Sequence, residues 1–457
     1  MMSKPVMISV SGIRGIVGEG LSPELIMQFA AAAGTFYGKG RVMVGRDSRV
    51  TGEMVKHAVF SSLMAVGCDP VDLGICATPT VEMAVQHSDA VGGIIITASH
   101  NPCEWNALKL LGSDGMFLDA EQGALIKEMV DAGDFQYVSW DQVGHVEMVE
   151  NATQDHIDHL LKLSWLDLEA IRTRKFKVAI DCVNGAGGVI LPRLLQSLGC
   201  EVTGIHVEPH GRFAHTPEPV PENLRDLCSL VKENKADIGL AVDPDVDRLA
   251  LVSENGAPLG EEYTLALATR FALSKSKGPV VVNMSTSRVI DDIAKDFNVP
   301  VERTKVGEIH VARKMQEIDA AVGGEGNGGV LLPELHLGRD ALLAVVMILQ
   351  SLVDFGGTIS ELWSTFPMYT MTKSKINIGS SNPDQIVHAL STAHSDQAQN
   401  HLDGLKIEWE DRWVHVRKYN TEPIIRIISE APTEEESKSL CNAFISEIEK
   451  LMASFSK

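Results

Sequence analysis

The chain has 457 residues, and 44% of them are apolar, which is enough for several domains with their own hydrophobic cores. Its formal net charge of −21 and the lack of any basic stripe argue against a nucleic-acid partner. The N-terminus lacks the apolar core of a signal peptide. The longest apolar run, residues 341–353, is shorter than the about 20 residues that span a bilayer. Seven scattered cysteines without metal-ligand spacing are typical of reduced thiols, so we expect a cytoplasmic protein without a membrane partner.

The N-terminal part alternates strand and helix patterns, which is the order typical of α/β proteins. Two glycines flank Arg14, and the backbone is expected to bend closely around this arginine. An amphipathic helix is predicted over residues 23–36 and a strand over residues 41–44. The polar segment after this strand is expected to form a structural ion-pair cluster of Arg46, Asp47 and Arg49.

A short β-branched run over residues 92–97 predicts a buried strand, and the segment Ala98-Ser-His-Asn-Pro ends it in a tight turn. Ser99 therefore lies at the end of a rigid strand, where a hydroxyl can act as a nucleophile or carry a phosphate. His100 and Lys109 are close enough in sequence to bind a phosphate or move a proton. The same pattern is also compatible with a turn that has no chemical role.

The middle of the chain repeats this strand-and-loop order after residues 133–149, which lose periodicity. A strand is predicted over residues 177–181, and the glycine-rich segment 184–188 after it is expected to be a packing turn. A proline-stiffened connector, residues 215–224, precedes a further strand over residues 236–242.

The segment Asp243-Pro-Asp-Val-Asp places three carboxylates at alternate positions directly after that strand. Such carboxylates can converge on one hard cation through oxygen ligands, whereas without a cation they would raise one another's pKa. A calcium loop or a solvated acidic turn is the alternative, although the twelve-residue pattern of an EF-hand is missing.

The third part contains a predicted strand over residues 280–283 and a glycine-rich turn over residues 323–329. This turn presents Glu325 and Asn327, whose acceptors and donors suit the vicinal hydroxyls of a sugar, although a plain turn is compatible with the same residues. The apolar run 341–353 is predicted to be a buried helix capped by Asp340. A last part with a different rhythm ends on a charged helix over residues 433–455.

Several of these motifs, in this order along nearly the whole chain, resemble the α-D-phosphohexomutase family. They are the serine loop 97–102 with Asn106 and Lys109, the aspartate loop 243–248, the loops 303–308 and 324–329, and the segment 417–423 with Arg426. The resemblance implies three similar mixed α/β domains around a central cleft and a smaller C-terminal α+β domain. The corresponding boundaries are 1–149 for the phosphoserine loop, 150–254 for the metal loop, 255–366 for the sugar loop and 367–457 for the phosphate-binding domain.

The resemblance also implies an isomerase in which phosphorylated Ser99 exchanges its phosphoryl group with a hexose monophosphate through a bisphosphorylated intermediate. It implies Mg²⁺ bound by Ser99, Asp243, Asp245 and Asp247, and hexose 1,6-bisphosphate as an activator. Arg14, His100 and Lys109 are the further catalytic candidates. The residues expected to bind the sugar phosphate are Arg248, Lys305, Glu325, Asn327, Arg417, Asn420, Thr421 and Arg426.

Glu308 and the Gly-Glu-Gly-Asn loop favour glucosamine phosphate as substrate, with mannose or glucose phosphate as the alternative. The chain departs from the usual family pattern at Ala107, Gly329 and Tyr419. These departures keep two other classes open, a sugar-phosphate-binding protein without turnover and a phosphatase. Assembly as a homodimer is also left open.

Overall fold

The computed structural model describes residues 6–9, 12–418 and 423–455. Its strands are β1 (Met7–Ser9), β2 (Gly12–Ile16), β3 (Arg41–Arg46), β4 (Asp69–Ile75), β5 (Gly92–Ile96), β6 (Trp105–Leu111), β7 (Glu147–Met148), β8 (Lys177–Asp181), β9 (Glu201–Ile205), β10 (Ile238–Val242), β11 (Leu249–Ser253), β12 (Val280–Asn283), β13 (Val301–Thr304), β14 (Val322–Glu325), β15 (Gly329–Leu331), β16 (Thr370–Asn377), β17 (Ala398–Asn400), β18 (Leu405–Glu408), β19 (Trp413–Lys418) and β20 (Ile424–Ala431).

The helices alternate with these strands over most of the chain. They are α1 (Pro23–Tyr37), α2 (Gly52–Ala65), α3 (Thr78–Gln86), α4 (Ala120–Ala132), α5 (Ala152–Leu160), α6 (Leu168–Arg174), α7 (Gly187–Ser197), α8 (Arg225–Asn234), α9 (Glu261–Lys275), α10 (Val289–Phe297), α11 (Glu308–Ile318), α12 (Ala341–Phe355), α13 (Ile359–Trp363), α14 (Pro383–Ala393) and α15 (Glu434–Phe455). Within the described ranges, no helix combines the length and the apolar character needed to cross a membrane.

The chain divides into two compact units. The first runs up to Ser276 and includes the later segment Asn327–Trp363. One of its sheets has the order β1-β2-β6-β5-β3-β4-β7, and another has the order β11-β10-β8-β9. In the first sheet β3 lies parallel to both β4 and β5, and in the second β8 lies parallel to both β9 and β10.

This parallel pairing decides where the polar loops emerge. Because β3 and β5 are parallel neighbours, the segments after Arg46 and Ile96 leave the same edge of the sheet. In the second sheet Ala241 of β10 lies opposite Asp181 of β8, so the aspartate loop and Asp181 also share one edge. The three isoleucines of β5 are fully buried, and this anchors the strand that carries Ser99.

Helix α12 confirms the predicted buried helix and its cap. The Oδ1 of Asp340 accepts hydrogen bonds from the backbone N–H groups of Leu342 and Leu343 at 2.8 and 3.2 Å. These bonds satisfy two of the donors that a helix leaves free at its start. Nearly every residue of α12 up to Leu352 is buried, as an apolar run without periodicity requires.

The second unit comprises Lys277–Gly326 and the chain from Ser364 onwards. Its strand β12 lies parallel to β13 and β14. The same unit also contains a five-stranded antiparallel sheet in the order β16-β20-β19-β18-β17. One hydrophobic cluster joins this sheet to α14 and α15. The mixed α/β sheets and this sheet-rich C-terminal part confirm the predicted fold class.

Two predictions that rest on glycines are wrong, the close bend around Arg14 and the first part of the turn over residues 323–329. The segment around Arg14 is strand β2, and the first part of the predicted turn 323–329 is strand β14. A Cβ at Gly12 would lie 1.8 Å from the backbone oxygen of Leu108, and one at Gly323 would lie 2.3 Å from the sulfur of Met315. At these two positions the close approach of a neighbouring backbone or side chain leaves no room for a Cβ.

Candidate active site

Ser99 lies directly beyond β5 and is almost fully buried. Its φ of 48° is in the left-handed region, which is uncommon for a residue with a side chain and is typical of functional turns. The hydroxyl donates a hydrogen bond to Oδ2 of Asp243 at 2.9 Å, and Nδ1 of His100 lies 3.2 Å from Oγ of Ser99. The fold thus brings the predicted nucleophile to a carboxylate 144 positions away in sequence.

A buried ion pair between Asp47 and Arg49 holds the serine loop in this conformation. The guanidinium of Arg49 bonds Oδ2 of Asp47 at 2.9 Å and also donates to the carbonyls of Ser99, Asn101, Pro102 and Trp105 at 2.6–3.0 Å. The ion pair of Arg46 is with Glu53 and not with Asp47, so this member of the predicted ion-pair cluster is wrong. Arg46 contacts Asp47 only by donating to its backbone carbonyl at 3.1 Å.

Arg49→Lys is expected to abolish the predicted mutase activity and to lower the stability of the chain. A lysine retains the charge but cannot supply the planar set of donors, so several carbonyls of the serine loop would lose their partners. We expect a loss of roughly 3 kcal/mol in the free energy of unfolding, because a buried network is broken. Denaturant unfolding and mutase turnover measure the two effects.

Arg193→Lys is the matched control, because Arg193 is an exposed residue of helix α7. Its unfolding curve and turnover should match those of the wild type. An Arg49→Lys protein with wild-type turnover would contradict a positioning role for the guanidinium.

The carboxylates of Asp243, Asp245 and Asp247 meet behind Ser99. All three residues are fully buried, and one ligand oxygen from each lies within 4.8 Å of the others. The backbone N–H groups of Asp247 and Arg248 donate to Oδ1 of Asp243, so the loop folds around its first carboxylate.

Two cations and one hydroxyl, largely shielded from solvent, hold the other two carboxylates. Nζ of Lys109 lies 2.7 Å from Oδ2 of Asp245, and Oγ1 of Thr78 donates to the same oxygen at 2.8 Å. A nitrogen of the Arg339 guanidinium lies 2.6 Å from Oδ2 of Asp247. Thr78 and Arg339 were missed by the sequence analysis, because they are 167 and 92 positions away from the carboxylates that they contact.

The electrostatics of this cluster call for a cation. Burial and the charges of Asp247 and Asp245 raise the pKa of Asp243 well above its usual range. Burial alone would also raise the pKa of Asp245, but the charge and hydrogen bond of Lys109 outweigh it and lower that pKa. A divalent ion among the three carboxylates would favour their ionised forms.

The residues fit Mg²⁺ by their chemistry. Oδ1 of Asp245 and Oδ1 of Asp247 are buried and have no hydrogen-bond partner among the residues that the structure describes. Such buried acceptors are costly unless a ligand satisfies them. An oxygen-only donor set suits a hard cation such as Mg²⁺.

The catalytic candidates Arg14 and His100 and the substrate-binding candidate Arg248 belong to the same unit as Ser99. A guanidinium nitrogen of Arg14 donates to Oδ1 of Asn101 at 2.8 Å. Arg248 reaches Glu218 of the proline-rich connector at 3.4 Å. The charge of Arg248, followed by burial and the charge of Arg14, lowers the pKa of His100 well below its usual range, so this imidazole is neutral near pH 7.

Two departures from the family pattern have a structural explanation. Ala107 lies inside β6 with its partner Arg14 on β2, where no left-handed backbone is needed and alanine is tolerated. At Gly329 a Cβ would lie 2.3 Å from Cδ of Arg339. The absence of a side chain at this position leaves room for the arginine that bonds Asp247. Oδ1 of the neighbouring Asn327 accepts from the Gly329 N–H at 3.2 Å.

The second unit holds the sugar-binding candidates Lys305 and Glu325. The buried carboxylate of Glu325 accepts from Nδ2 of Asn283 at 2.8 Å and from the N–H of Gly307 at 2.9 Å. Lys305 follows β13 directly, and Glu308 is the buried first residue of α11. The hydrogen bond to Gly307 therefore joins the Glu325 strand to the segment that carries Lys305 and Glu308.

Three cations lie side by side on the C-terminal sheet. Arg426 of β20 is directly opposite Arg417 of β19 and directly opposite Lys375 of β16. Asp403 lies 3.5 Å from Arg417. Like charges on adjacent strands are unfavourable, so this row is suited to bind an anion such as a phosphate. Lys375 was missed by the sequence analysis, whereas Asn420, Thr421 and Tyr419 lie outside the described residues.

Three family profiles match consecutive parts of the chain. They are described as alpha/beta/alpha domains I, II and III of phosphoglucomutase/phosphomannomutase and match residues 7–137, 154–256 and 260–369. The chain therefore belongs to the phosphoglucomutase/phosphomannomutase family, and the predicted resemblance is confirmed. It is an intramolecular phosphotransferase of the phosphohexomutase type, as predicted.

Individual relatives cover almost the whole chain. A "Phosphoglucomutase/phosphomannomutase" of Thermococcus kodakarensis is 38% identical over 96% of this chain and 98% of its own length. A "Probable phosphoglucosamine mutase" of Methanopyrus kandleri is 38% identical over 95% of this chain and 96% of its own length.

Solved structures share the fold. A phosphoglucomutase/phosphomannomutase family protein of Burkholderia thailandensis has a TM-score of 0.85 at 24% identity, covering 98% of both chains. The Aspergillus fumigatus N-acetylphosphoglucosamine mutase, solved with GlcNAc-6P and magnesium, has a TM-score of 0.60 at 15% identity. That match covers 98% of this chain and 96% of the other.

Proposed function

We propose that the chain interconverts hexose 6-phosphate and hexose 1-phosphate through a phosphoserine at Ser99. The observation that carries the site assignment is the 2.9 Å hydrogen bond between the Ser99 hydroxyl and Asp243, inside a buried cluster of three carboxylates. This is an arrangement in which a phosphoryl group on the serine would face ligands for a divalent cation. We also propose a cytoplasmic location, which suits the seven free thiols.

In the forward step, a hydroxyl of the hexose monophosphate attacks the phosphorus of phosphorylated Ser99. The new bond joins phosphorus to the sugar oxygen, the bond to the Ser99 oxygen breaks, and a hexose bisphosphate forms. In the return step the Ser99 oxygen attacks the phosphorus of the other phosphoryl group, the bond from that phosphorus to the sugar oxygen breaks, and the sugar oxygen takes back the proton. This step restores the phosphoserine and releases the isomer. Hexose 1,6-bisphosphate can therefore load an unphosphorylated serine, which accounts for its proposed role as activator.

The residues around Ser99 divide the remaining tasks. We assign proton acceptance from the sugar hydroxyl to His100, because its imidazole is neutral and lies next to the serine oxygen. Burial lowers the pKa of Lys109, but the charges of Asp245 and Asp247 outweigh it and raise that pKa, so Lys109 stays a cation. With Arg14, it would stabilise charge on the transferring group.

Mg²⁺ would be held by Asp243, Asp245, Asp247 and an oxygen of phosphorylated Ser99. When bound, it supplies charge neutralisation for the phosphoryl group. The sugar hydroxyls are assigned to Glu325 and Asn327, and the distal phosphate is assigned to Arg417, Asn420, Thr421 and Arg426. Arg248 and Lys305 are assigned to substrate binding in general. These assignments, and the four domain boundaries given above, rest on the family's motifs.

Glucosamine phosphate is the proposed substrate, with mannose or glucose phosphate as the second candidate. Buried Glu308 and the Gly-Glu-Gly-Asn loop support the first, and the name of the Methanopyrus kandleri relative agrees. The name of the Thermococcus kodakarensis relative supports the second.

A coupled mutase assay across the 1-phosphates of glucosamine, mannose and glucose tests the proposal, with Mg²⁺ and a trace of hexose bisphosphate present. A clear preference in kcat/KM for glucosamine phosphate is expected. Preference for another sugar phosphate would change the substrate assignment but would leave the proposed mechanism unchanged. Release of inorganic phosphate would indicate a phosphatase. An absence of turnover by protein that carries phosphate on Ser99 would favour a binding protein.

Arg426→Ala should raise KM for the sugar phosphate by roughly tenfold to a hundredfold, because one charge-assisted hydrogen bond is worth about 1.5–3 kcal/mol. Steady-state kinetics with the preferred hexose 1-phosphate measure this change. Arg412→Ala is the matched control in the same unit, because Arg412 pairs with its neighbour Asp411. An unchanged KM in Arg426→Ala would mean that the row of Lys375, Arg417 and Arg426 does not bind the substrate phosphate.

A further inference from the structure

The first unit contains a second cluster of metal-ligating side chains, formed by Asp181, His206 and His215. Nδ1 of His206 lies 3.1 Å from Oδ1 of Asp181, and Nε2 of His215 lies 3.0 Å from Oδ2 of the same carboxylate. One ligand atom from each of the three residues lies within 4.8 Å of the others. None of these residues takes part in the phosphoryl transfer described above.

The sheet itself assembles this cluster. Asp181 is the last residue of β8, and His206 directly follows the parallel neighbour β9, so both leave the same edge. His206 has a φ of 51°, and its carbonyl accepts from the N–H of Asn184 at 2.7 Å. Asp181 is 1% exposed, whereas the side chains of His206 and His215 are 23% and 19% exposed. A fixed carboxylate is therefore combined with two imidazoles that solvent ions can reach.

Neighbouring groups orient the cluster as the outer shell of a metal site does. Nδ1 of His215 faces the carbonyl of Thr216 at 2.8 Å, which leaves Nε2 directed at the cluster. The N–H of Val183 donates to Oδ1 of Asp181 at 2.9 Å. Hydrogen bonds of this kind fix the ring orientation of a histidine ligand and the position of a carboxylate ligand.

We propose that Asp181, His206 and His215 bind one borderline divalent transition-metal ion, of which Zn²⁺ is the representative. Two imidazole nitrogens and one carboxylate oxygen suit Zn²⁺ and its neighbours, whereas Mg²⁺ prefers oxygen ligands alone. The chain would then hold two cations of different chemistry, with water completing the coordination at this second site. On binding, the ion replaces the proton that otherwise lies between His215 Nε2 and Asp181.

Such an ion would fix the segment between its two histidines. This segment packs closely against the loop before α2, because a Cβ at Gly211 would lie 2.0 Å from the carbonyl oxygen of Ser48. The hydroxyl of Ser48 and the N–H of Gly211 both donate to the carbonyl of Asn184, at 2.7 and 3.2 Å. Arg49, which holds the serine loop, directly follows Ser48 in the chain. We therefore expect the ion to stabilise the part of the unit on which the serine loop depends.

Zn²⁺ titration of the chelator-treated full chain by calorimetry tests the proposal, with excess Mg²⁺ present to occupy the carboxylate loop. His206→Asn is the main variant, because asparagine tolerates the left-handed backbone at this position and removes the ring. His215→Gln is the second variant. His210→Ala is the matched control, because His210 is an exposed histidine of the same segment outside the cluster.

The wild type and His210→Ala are expected to bind one Zn²⁺ per chain. His206→Asn and His215→Gln should bind it at least about tenfold more weakly. Zn²⁺ should also raise the melting temperature of the first two proteins and not that of His206→Asn. With Co²⁺ in place of Zn²⁺, the wild type should show visible absorption bands typical of nitrogen ligation, and His206→Asn should not. Equal Zn²⁺ binding by wild type and His206→Asn, or no saturable binding by the wild type, would overturn the proposal. Mutase activity does not enter these readouts, so failure of the catalytic proposal is a separate result.

Discussion

Ser99→Ala is expected to abolish mutase turnover, with a fall in kcat of at least about a thousandfold, while the chain remains folded. The loss of Oγ removes the atom that would carry the phosphoryl group, and no other hydroxyl occupies its place beside Asp243 in the part of the chain that the structure describes. Removing a covalent nucleophile from an enzyme typically costs this much or more, because residues that act as a unit lose their function together.

The fold should survive because the serine loop is held by its backbone. Arg49 bonds the carbonyls of this loop, and Thr97 accepts from the N–H of Ser99 at 2.9 Å. The left-handed φ of 48° is unfavourable for alanine as it is for serine. Ser99→Gly removes the same hydroxyl and tolerates this backbone, so it should be inactive and slightly more stable than Ser99→Ala.

Coupled turnover, intact mass and thermal unfolding measure these effects. Wild type incubated with hexose 1,6-bisphosphate should gain one phosphoryl group, and neither variant should. Ser197→Ala is the matched control, because Ser197 is partly exposed and its hydroxyl donates to the carbonyl of Arg193 within its own helix. Substantial turnover in both Ser99 variants would remove this serine from its assigned role.

Local sequence patterns predicted the regular elements well. The strands over 177–181 and 280–283 and the helix that follows Asp340 were predicted because apolar period, length and caps are encoded in adjacent residues. The glycine-rich segments were predicted less well. A glycine that allows a turn and a glycine that allows a close neighbour look alike in sequence, and only the packing at Gly12 and Gly323 separates them.

The sequence also identified the chemical groups of the site better than the groups that hold them. Ser99 and the aspartate loop each lie in a short motif after a strand, and such motifs are visible in one dimension. Arg339 has no such context, and its contact with Asp247 depends on how the chain returns to the first unit.

Cross-strand neighbours were hidden for the same reason. Lys375 is 51 positions before Arg426 along the chain, and only the antiparallel register places the two opposite each other. Strand order and register are set by the tertiary fold, so a row of cations across three strands has no local signature.

Asp245→Asn is expected to weaken Mg²⁺ binding and to lower kcat by roughly a hundredfold to a thousandfold. Asparagine has nearly the same shape, but it removes one of three charges from the proposed cation site and replaces one carboxylate oxygen with an amide nitrogen. Losing one preorganised electrostatic contact in a buried site typically reduces kcat by this factor.

The same substitution should destabilise the chain without Mg²⁺. Lys109 would remain buried beside a neutral amide, with Asp247 at 3.7 Å as its remaining carboxylate contact. Breaking a buried ion pair by neutralising one partner typically costs about 3–5 kcal/mol, because the other charge stays desolvated. The remaining attraction of Asp247 should keep the loss toward the lower end of this range.

Calorimetric titration with Mg²⁺, denaturant unfolding and steady-state kinetics separate these effects. Asp319→Asn is the matched control, because Asp319 is an exposed residue with a φ of 51°, a conformation that asparagine also tolerates. A lower stability with unchanged Mg²⁺ affinity would mean that Asp245 serves only to neutralise Lys109. Oδ2 of Asp245 accepts from Lys109, and Oδ1 is the buried oxygen that a cation would satisfy. Weaker Mg²⁺ binding with a lower kcat would therefore support the role of Oδ1 as a cation ligand, and the lower stability would support the role of Oδ2 as the partner of Lys109.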